Sequence, residues 1–422
     1  MKSPYLVLDL FSGGGGLTEG FIRQSFVFLG HIEMDRNAAD TLETRLYFHE
    51  LKKMGHENLY EQYYRGNITR EQFIRQVKDL GTEIPKIINK ELSVSTNHEI
   101  IRDLRKTLEK KYHRSDVDVI IGGPPCQSFS LAGRGKNRER AFTDPRNYLY
   151  RHYLRLLKEF RPKIFVFENV PGLISAKKGS VFNNVITGCS RLGYHLDDNP
   201  HILDAADFGV LQERNRVIFI GWKNGSSHLR YPQFLGNKSE ETVWEILKDL
   251  PELQAGGGTD KYQKYRKGRP SAWLAEKIRN SYGGIRHHQA RMHNERDREI
   301  YRIAVRKWNE SGYRLNYNEL PEDLKTHRNR HSFVDRFKVV DKNSVSHAVL
   351  AHLAKDGHYF IHPDIDQARS LTVREAARIQ SFPDDFIFEG PRSAKYVQIG
   401  NAVPPLMAEG IAEKIKEMLD SL

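Results

Sequence analysis

Short apolar runs alternate with amphipathic stretches along the first half of the chain. Residues 5–11 and 26–32 are apolar and rich in β-forming residues, and each ends in a polar or glycine turn. Runs of the same character lie at 117–121, 164–167 and 216–221. Strands that alternate with helical patterns in this way predict an open α/β domain built on a doubly wound, largely parallel sheet.

The alternation is interrupted in two places. Between the second and third apolar runs lies a stretch rich in Glu, Lys, Tyr and Leu, far longer than a βαβ connection requires, and it predicts a helical insertion at about 36–100. After residue 222, Gly, Pro and basic residues increase and helical periodicity weakens. We therefore predict a main domain over 1–235 and a smaller domain over 236–393.

Positive charge is concentrated in two regions. The chain has 66 Lys and Arg against 54 Asp and Glu, a formal net charge of +12. Residues 254–340 hold 20 basic and 10 acidic residues, residues 126–151 hold 6 and 2, and the remainder is close to neutral. The first region is also interleaved with Tyr and Trp. This pattern indicates a polyanionic partner such as nucleic acid, although a solvated basic surface is the alternative.

Composition excludes several classes of protein. Cys126 and Cys189 are the only cysteines, too few for a disulfide framework or a Cys-based zinc site. The first apolar run is too short for a signal sequence and contains Asp9, and no stretch approaches the ~20 apolar residues of a membrane span. We expect a cytoplasmic protein that has free thiols and no membrane partner.

The first chemical motif is the glycine loop DLFSGGGG at residues 9–16. It follows a predicted strand and opens a helix, where glycines let the backbone approach a ligand closely. Glu33 ends the next strand and is placed to bind ribose hydroxyls. A dinucleotide fingerprint would need a third glycine, which is missing here. The loop alone indicates a nucleoside-containing cofactor, with a plain tight turn as the alternative.

Cys126 lies in the second motif, GGPPCQSFS at residues 122–130. Two prolines stiffen the chain directly before this thiol, at the carboxyl edge of the sheet where α/β proteins bind ligands. The basic loop that follows favours the thiolate. We interpret Cys126 as a nucleophile, whereas Cys189 keeps the default interpretation of an inert buried thiol.

Two further motifs carry charged side chains next to strands. Glu168 ends the run at 164–167 and is expected beside the Cys126 turn, where a desolvated carboxyl can share a proton. Arg214 and Arg216 alternate on one face at the start of a later strand and are expected to point into the same cleft. A turn carboxylate and a surface ion-pair ladder are the alternatives. His287 and His288 are taken as a solvated pair rather than metal ligands.

In this order, the motifs resemble those of the bacterial DNA (cytosine-5)-methyltransferases. The matching segments include PPCQ at 124–127, ENV at 168–170 and QERNRV at 212–217. Two more follow, RSLTVREAARIQSFP at 369–383 and QIGNAVPP at 398–405. The resemblance covers most of the chain except 36–100 and about 254–335.

The resemblance implies a Rossmann-like methyltransferase domain with a parallel-rich sheet, completed by residues 394–422, and a small target-recognition domain over 236–393. It implies S-adenosylmethionine as cofactor, S-adenosylhomocysteine as product and no metal. The implied partner is double-stranded DNA. A monomer that works beside a restriction endonuclease is the expected biological setting.

The resemblance also assigns residues to the cofactor. Glu33 would bind the ribose, Met34 would lie against the adenine and Asp103 would read its amino group. The full set is Asp9, Phe11, Ser12, Gly13, Gly15, Gly16, Leu17, Glu33, Met34, Asp103, Leu104, Pro124, Leu149, Asn401, Ala402 and Val403.

Catalysis is assigned to four residues. Cys126 would attack cytosine C6, Glu168 would bind N3 and the exocyclic amine, and Arg216 would hold O2. Arg214 would support the site or its loop. The DNA contacts would come from Gln127, Ser128, Ser130, Arg134, Arg146 and Arg374.

The target base must leave the duplex for this chemistry, and residues 127–147 are the expected lid over it. An RNA cytosine methyltransferase and a non-catalytic DNA-binding regulator are the alternatives. The long basic region favours DNA over RNA, and the presence of Cys126, Glu168 and Arg216 together argues against a mere binder. The recognition sequence is not readable from the chain.

Overall fold

The computed structural model describes residues 4–125, 148–197, 199–226, 228–325, 331 and 334–422. Within them, the main sheet has eight strands. These are β1 (Leu6–Leu10), β2 (Val27–Ile32), β3 (Lys86–Ile88), β4 (Val119–Gly122), β5 (Ile164–Asn169), β6 (Tyr194–Leu196), β7 (Ile202–Asp204) and β9 (Asn215–Lys223). Shorter strands are β8 (Gln212–Glu213), β10 (Gly258–Thr259), β11 (Gln263–Lys264), β12 (Gly284–Ile285), β13 (His288–Gln289) and β14 (Ser346–His347).

Helices flank the sheet, and further helices lie in the rest of the described chain. They are α1 (Gly16–Arg23), α2 (Arg36–Met54), α3 (Glu57–Arg65), α4 (Arg70–Asp79), α5 (Asn97–Tyr112), α6 (Leu149–Phe160), α7 (Gly172–Ser175), α8 (Ser180–Arg191), α9 (Val243–Leu247), α10 (Ala272–Lys277), α11 (Glu295–Ser311), α12 (Val373–Ile379), α13 (Arg392–Asn401) and α14 (Pro405–Asp420). Among the described residues, no helix is both long and apolar enough to cross a membrane.

The sheet confirms the predicted α/β fold. Its strand order is β3-β2-β1-β4-β5-β9-β6, and β7 also pairs with β9. The first five strands are parallel, whereas β9 runs antiparallel to β5. Both faces are covered: Leu6, Leu8 and Leu10 of β1 face one apolar core and Val7 faces the other. This is why the strands read as continuous apolar runs.

The stretch predicted as a helical insertion contains α2, α3 and α4, but it also contains a strand of the main sheet. Residues 86–88 form β3, which pairs in parallel with β2. The helical part therefore ends at residue 79, and the chain returns to the sheet before residue 100. Three residues are too few to show a period in the sequence, and β6 and β7 are equally short and were missed for the same reason.

The C-terminal helix α14 packs on α1 beside the sheet. A Cβ atom at Gly16 would lie 2.3 Å from the Val403 carbonyl oxygen, and one at Gly20 would lie 2.3 Å from the Glu409 nitrogen. Only glycine allows two backbones to approach so closely. The end of the chain is thereby locked onto the helix that follows the glycine loop.

Residues 236–393, here called the small domain, are built from short helices, short strands and loops. Their main apolar core joins α9, α10 and α12, and a second core surrounds α11. The short parallel pair β8–β14 connects this part to the chain just before β9. No group of His, Cys, Asp or Glu suited to hold a metal ion is found in the described part of the chain.

Candidate active site at the carboxyl edge of the sheet

The glycine loop turns at the end of β1 and is held by a carboxylate from β2. Phe11 and Gly13 have positive φ angles of 57° and 56°, so the chain leaves the strand in a left-handed conformation. Glu33 accepts hydrogen bonds from the backbone N–H of Gly13 (2.8 Å) and of Asp35 (2.7 Å). Burial raises the pKa of Glu33, although these two donors stabilise its charged form. The loop and a buried carboxylate thus share one corner of the sheet edge.

Several side chains assigned to the cofactor support this loop from below and do not face the cleft. Asp9 is fully buried and accepts a hydrogen bond from the Thr18 hydroxyl at 2.6 Å, which ties β1 to the first turn of α1. Leu17 packs in the core beneath α1, and Leu104 is fully buried between α5 and β2. The side chains of these three residues therefore lie within the fold, and their assignment to the cofactor stays a prediction.

Asp103 was expected to read the adenine, but a different residue occupies the position beside Glu33. The Asn89 amide donates to the backbone oxygens of Glu33 (2.9 Å) and Met34 (3.1 Å). Asp103 lies on α5, where its half-exposed carboxylate accepts from Lys86 at 2.9 Å, and this bond lowers its pKa. Asn89 directly follows β3, so recognition of that short strand would have identified it.

The backbone that leads towards residue 126 is fixed from the neighbouring strand. The Asn169 side chain, which is buried at the end of β5, donates to the Pro124 carbonyl oxygen at 2.9 Å. Its own Oδ1 accepts from the Val170 N–H at 2.9 Å. Asn169 therefore orients the proline turn, a role that the sequence assigned to no residue.

An ion pair between β5 and β9 forms the centre of the site. The Arg216 Nε donates to Glu168 Oε1 at 2.7 Å, and both side chains are about nine-tenths buried, at 9% and 12% exposed. A Cβ atom at Gly123 would lie only 2.3 Å from Glu168 Oε2, so the missing side chain leaves room for the carboxylate. The structure thereby brings the predicted Glu168 and Arg216 together beside the turn at residues 123–125.

Arg214 points away from this pair and binds backbone. Its guanidinium donates to the carbonyl oxygens of Val349 (2.7 Å), Gly400 (2.8 Å) and Ala402 (2.9 Å). Burial without a carboxylate partner lowers its pKa well below the usual value. Arg214 thus connects the start of β9 to the end of α13, and its contacts are those of a supporting residue and not of a group that faces substrate.

The last motif is brought to the same edge by a chain of buried amides. Gln212 donates to Gln380 Oε1 at 2.6 Å, and Gln380 donates to the Ile399 carbonyl oxygen at 2.7 Å. Asn401 is exposed at the end of α13, and Val403 is buried against α1. Three segments that are distant in sequence are therefore assembled side by side.

The other assigned residues lie along the same edge. Ser12 donates to the Asp9 carbonyl oxygen at 3.1 Å, Gly15 precedes α1 in a left-handed conformation, and Leu149 opens α6 with 9% exposure. Cys189 is buried in α8, and burial raises the pKa of its thiol to about 12, as expected for an inert cysteine. Six assigned residues lie outside the described part of the chain: Cys126, Gln127, Ser128, Ser130, Arg134 and Arg146.

Arg374 was expected to contact DNA, and its position corrects that expectation. It lies on α12 with no exposed surface. Its guanidinium donates to the carbonyl oxygens of Arg286 (3.0 Å), Pro383 (3.0 Å) and Phe386 (2.8 Å). A side chain enclosed in this way stabilises the loops around α12 and has no access to a phosphate or a base.

His287 and His288 are likewise enclosed and not solvated. His287 Nε2 accepts from the Phe388 N–H at 3.1 Å, so its proton lies on Nδ1 and is donated to Asp260 at 3.0 Å. His288 lies between the Thr372 hydroxyl and the Pro251 carbonyl oxygen. Both side chains are structural.

The corner around Glu33 suits the nucleoside end of S-adenosylmethionine. Ribose hydroxyls require an acceptor, which the Glu33 carboxylate offers, and a purine requires an apolar surface, which Met34 offers at 61% exposure. Asn89 adds an amide directly beside both residues. The chemistry of these groups therefore fits the cofactor that the motifs imply.

Comparisons with known proteins identify the family. The family model described as C-5 cytosine-specific DNA methylase matches residues 82–417. The type II methyltransferase M.Bpa9945I of Bacillus paralicheniformis is 41% identical and aligns over 98% of this chain and 99% of its own. M1.HphI of Haemophilus parahaemolyticus, also a type II methyltransferase, is 32% identical over 97% and 86%.

A solved structure shows the same architecture. It is described as a DNA modification methyltransferase encoded within a prophage of E. coli and has a TM-score of 0.66, with 25% identity and 99% of both chains covered. Because the family model spans most of the chain and the relatives align almost from end to end, this chain belongs to the C-5 cytosine-specific DNA methylase family and is a DNA (cytosine-5)-methyltransferase.

Proposed function

We propose that this enzyme methylates C5 of a cytosine that is flipped out of a specific double-stranded sequence, through a covalent bond between the Cys126 sulfur and cytosine C6. The observation that carries the proposal is the Glu168–Arg216 ion pair, held against the backbone turn that leads directly to Cys126. A carboxylate and a guanidinium at one sheet edge, together with the thiol of the residue that follows the described turn in sequence, are the groups that activation of a cytosine ring requires.

Cytosine C5 is a poor nucleophile until C6 is attacked. In the proposed reaction the Cys126 thiolate forms a bond to C6, and the electron pair of the C5–C6 double bond becomes available at C5. Glu168 hydrogen-bonds N3 and the exocyclic amine, and Arg216 holds O2, so that negative charge on the ring is neutralised as it develops. Because Arg216 also fixes Glu168, one residue orients both recognition groups.

The remaining steps restore the ring. C5 takes the methyl group, a base removes the C5 proton, and the returning electron pair reforms the C5–C6 double bond as the thiolate leaves C6. S-adenosylmethionine, when bound, would supply an electrophilic methyl group, with its sulfur–methyl bond breaking to leave S-adenosylhomocysteine. Glu33, Met34, Asn89 and the glycine loop would hold its nucleoside end. Atoms and electrons balance without a metal or an external oxidant.

The need for base flipping follows from the limited access to C5 and C6 of cytosine inside a duplex. C5 and C6 of a stacked, paired cytosine cannot be reached by a thiol at a sheet edge, so the base must rotate into the cleft. The basic residues of 254–340 supply the charge to hold the duplex while the base is extrahelical.

The test is transfer of labelled methyl groups to unmethylated plasmid, followed by hydrolysis and identification of the modified base. Cys126→Ser is compared with Cys189→Ser, which removes the other thiol from a buried helix. We expect 5-methylcytosine with wild type and Cys189→Ser and none with Cys126→Ser. Label on another base, activity in Cys126→Ser, or transfer to transfer RNA in place of DNA would contradict the proposal.

The type II names of the relatives support a restriction-modification role, which we also propose. Methylation at the recognition sequence would then protect the host DNA from a partner endonuclease. A plasmid methylated in vivo should resist cleavage by extract of the source cells, whereas an unmethylated copy should be cut. Equal cleavage of both plasmids would refute this role.

A further inference from the structure

The helices α2, α3 and α4, residues 36–79, form a lobe that has no part in the chemistry above. Their aromatic side chains share one apolar cluster with Tyr282 and Ile387 of the small domain. We call these three helices the helical lobe. Its contacts cross from the main domain to the small domain, so its position bears on how the two domains face each other.

One helix of the lobe is lined with tyrosines whose hydroxyls bind the small domain. The Tyr60 hydroxyl donates to the Asp385 carbonyl oxygen at 2.6 Å, and the Tyr63 hydroxyl donates to Glu389 at 2.7 Å. The Tyr64 hydroxyl lies 2.7 Å from the Asp384 carbonyl oxygen. Burial raises the pKa of both Tyr60 and Tyr64 well above the ordinary value, so these hydroxyls remain donors.

Tyr64 also reaches the hairpin β11–β12. Its hydroxyl lies 3.0 Å from the Gly284 carbonyl oxygen and accepts from the Asn280 amide at 3.0 Å. Gly284 pairs directly with Lys264 across the hairpin. The Tyr64 ring contacts Tyr262 and Tyr282 edge-on or tilted, with centroids 6.1 and 5.1 Å away. The hairpin backbone is thus supported from the lobe.

The lobe is in turn anchored to the methyltransferase core. Arg45 of α2 binds Glu19 of α1 through two hydrogen bonds of 2.6 and 2.8 Å and binds Asp385 at 2.8 Å. Arg45 and Glu19 are buried, at 4% and 1% exposed. A rigid path therefore runs from the helix that follows the glycine loop, through Arg45 and α3, to the hairpin.

The turn that this hairpin carries is strongly basic. Residues 261–269, here called the basic turn, expose Lys261, Lys264, Lys267 and Arg269, and none of them forms an ion pair within the described residues. Arg266 in the same turn pairs with Glu252. Four exposed cations without partners on one supported hairpin suit a row of phosphates.

We propose that the helical lobe positions the basic turn for contact with DNA phosphates and that Tyr60 and Tyr64 are positioning residues for DNA binding. This inference rests on the proposed function. When the lobe releases the hairpin, the turn is no longer held against the DNA backbone in the complex, so fewer phosphates are contacted and the DNA affinity falls. The chemistry at Glu168 and Arg216 lies on other elements and is unaffected.

The test uses full-length Tyr60→Phe/Tyr64→Phe, which keeps both rings and removes both hydroxyls. The matched control is Tyr47→Phe in α2 of the same lobe, whose ring packs on Phe73 and whose hydroxyl makes no hydrogen bond to any described residue. DNA binding is measured by fluorescence anisotropy at several salt concentrations, and kcat and the KM for S-adenosylmethionine are measured separately.

We expect the dissociation constant for DNA to rise about 3- to 10-fold in the double variant, the size expected when one or two net hydrogen bonds are lost. The salt dependence of binding should become shallower, because fewer phosphates are neutralised. At saturating DNA, kcat should stay within 2-fold of wild type, as should the KM for S-adenosylmethionine. The control should behave as wild type.

A second comparison separates positioning from general loosening. In the background Lys264→Gln/Lys267→Gln, the tyrosine substitutions should weaken binding by less than about 2-fold, because the turn they position no longer carries the charge. If the tyrosine and lysine substitutions raise the dissociation constant for DNA by factors that simply multiply, the proposal is overturned. An unchanged DNA affinity in the tyrosine variant, or a fall in kcat with unchanged affinity, would overturn it as well. Binding is measured without methyl transfer, so failure of the proposed reaction would be seen separately.

Discussion

The sheet edge and the core of the small domain both bury arginines, but they use them differently. At the sheet edge, Arg216 binds one oxygen of Glu168, and the other oxygen lies where a side chain at Gly123 would be. In the small domain, Arg378 binds Asp384 and Asp249, and the bonds to Asp384 are 2.9 and 2.7 Å long.

These ion pairs differ in whether arginine donates to both oxygens of the carboxylate or to only one. Arg369 and Glu375 also form two parallel hydrogen bonds, of 2.8 and 2.7 Å, with both side chains buried. In these pairs both carboxylate oxygens accept hydrogen bonds from arginine, and these bonds stabilise the fold. In the pair at the sheet edge, one carboxylate oxygen has no hydrogen bond from the described residues, which suits the substrate contact proposed for Glu168. A buried arginine indicates a functional site only where its carboxylate partner still has an oxygen that can bind a substrate.

Lowering the pH should produce the largest difference in stability between the small domain and the main sheet. Burial lowers the pKa of His288 and His293 to about 4 and that of His362 to about 3, and all three lie in the small domain. In the unfolded chain histidine titrates near 6.5, so between about pH 6.5 and 4 the unfolded state binds more protons than the folded state. The stabilisation is complete above pH 6.5 and is lost as the pH falls.

Unfolding at pH 5 to 6 should therefore take up close to three protons from these groups. Hydrogen exchange by segment should show that small-domain peptides lose protection at a higher pH than peptides of the main sheet. Stability that is independent of pH across this window, or a sheet that opens first, would contradict the comparison.

Removal of one saturated arginine should affect stability more than any surface change. Arg378→Met leaves Asp249 with Arg279 alone and Asp384 with the more distant Arg374 at 3.8 Å, and we expect the free energy of unfolding to fall by about 3 kcal/mol. Arg302→Met is the control, since Arg302 pairs with Glu295 and Glu299 at the surface, and it should cost less than about 1 kcal/mol. Urea denaturation of both variants measures the difference.

Gly123 should be essential for the methyl-transfer rate, whereas its substitution should hardly change the free energy of unfolding. In Gly123→Ala the new Cβ would displace the Glu168 carboxylate, and a misplacement of about 1 Å can lower the methyl-transfer rate about 100-fold. Gly236→Ala is the control, because its Cβ would meet only ordinary contacts at 3.8 Å or more. Single-turnover methyl-transfer rates of both variants test this prediction. A wild-type rate in Gly123→Ala would show that a Cβ at this position does not displace the Glu168 carboxylate.

The smallest effect is expected at Arg214. A lysine at this position retains the charge but reaches fewer of the three carbonyl oxygens, so Arg214→Lys should lower the free energy of unfolding by about 1–2 kcal/mol. Because Ala402 is one of the released partners, the KM for S-adenosylmethionine should rise slightly while kcat stays close to wild type. A large fall in kcat would instead assign Arg214 to the reacting groups.

The sequence predicted segments better than side-chain directions. The apolar runs located β1, β2, β4, β5 and β9, since long buried strands leave a clear pattern. Glu168 was predicted beside the turn at Cys126 because strand ends fix where such residues lie, whereas its common site with Arg216 was implied only by the family resemblance.

What the sequence could not show is which way a side chain points. Arg374, which lies in the segment at 369–383, was assigned to DNA contact. Every residue of α12 is buried, however, and such a helix carries its charges inward to carbonyl and carboxylate partners. Asp103 was assigned from the family resemblance alone, and Asn89 was not considered, because the short β3 that places it leaves no readable period.

The comparison of Arg216→Lys with Arg374→Lys tests the central claim most directly. Single-turnover methyl transfer, DNA affinity and the thermal midpoint are measured in both variants. The account predicts that Arg216→Lys loses about 10²- to 10³-fold in rate with little change in midpoint. Arg374→Lys should lower the midpoint and leave DNA affinity and rate of the folded protein close to wild type. An active Arg216→Lys enzyme, or an Arg374→Lys enzyme that loses DNA affinity at an unchanged midpoint, would contradict it.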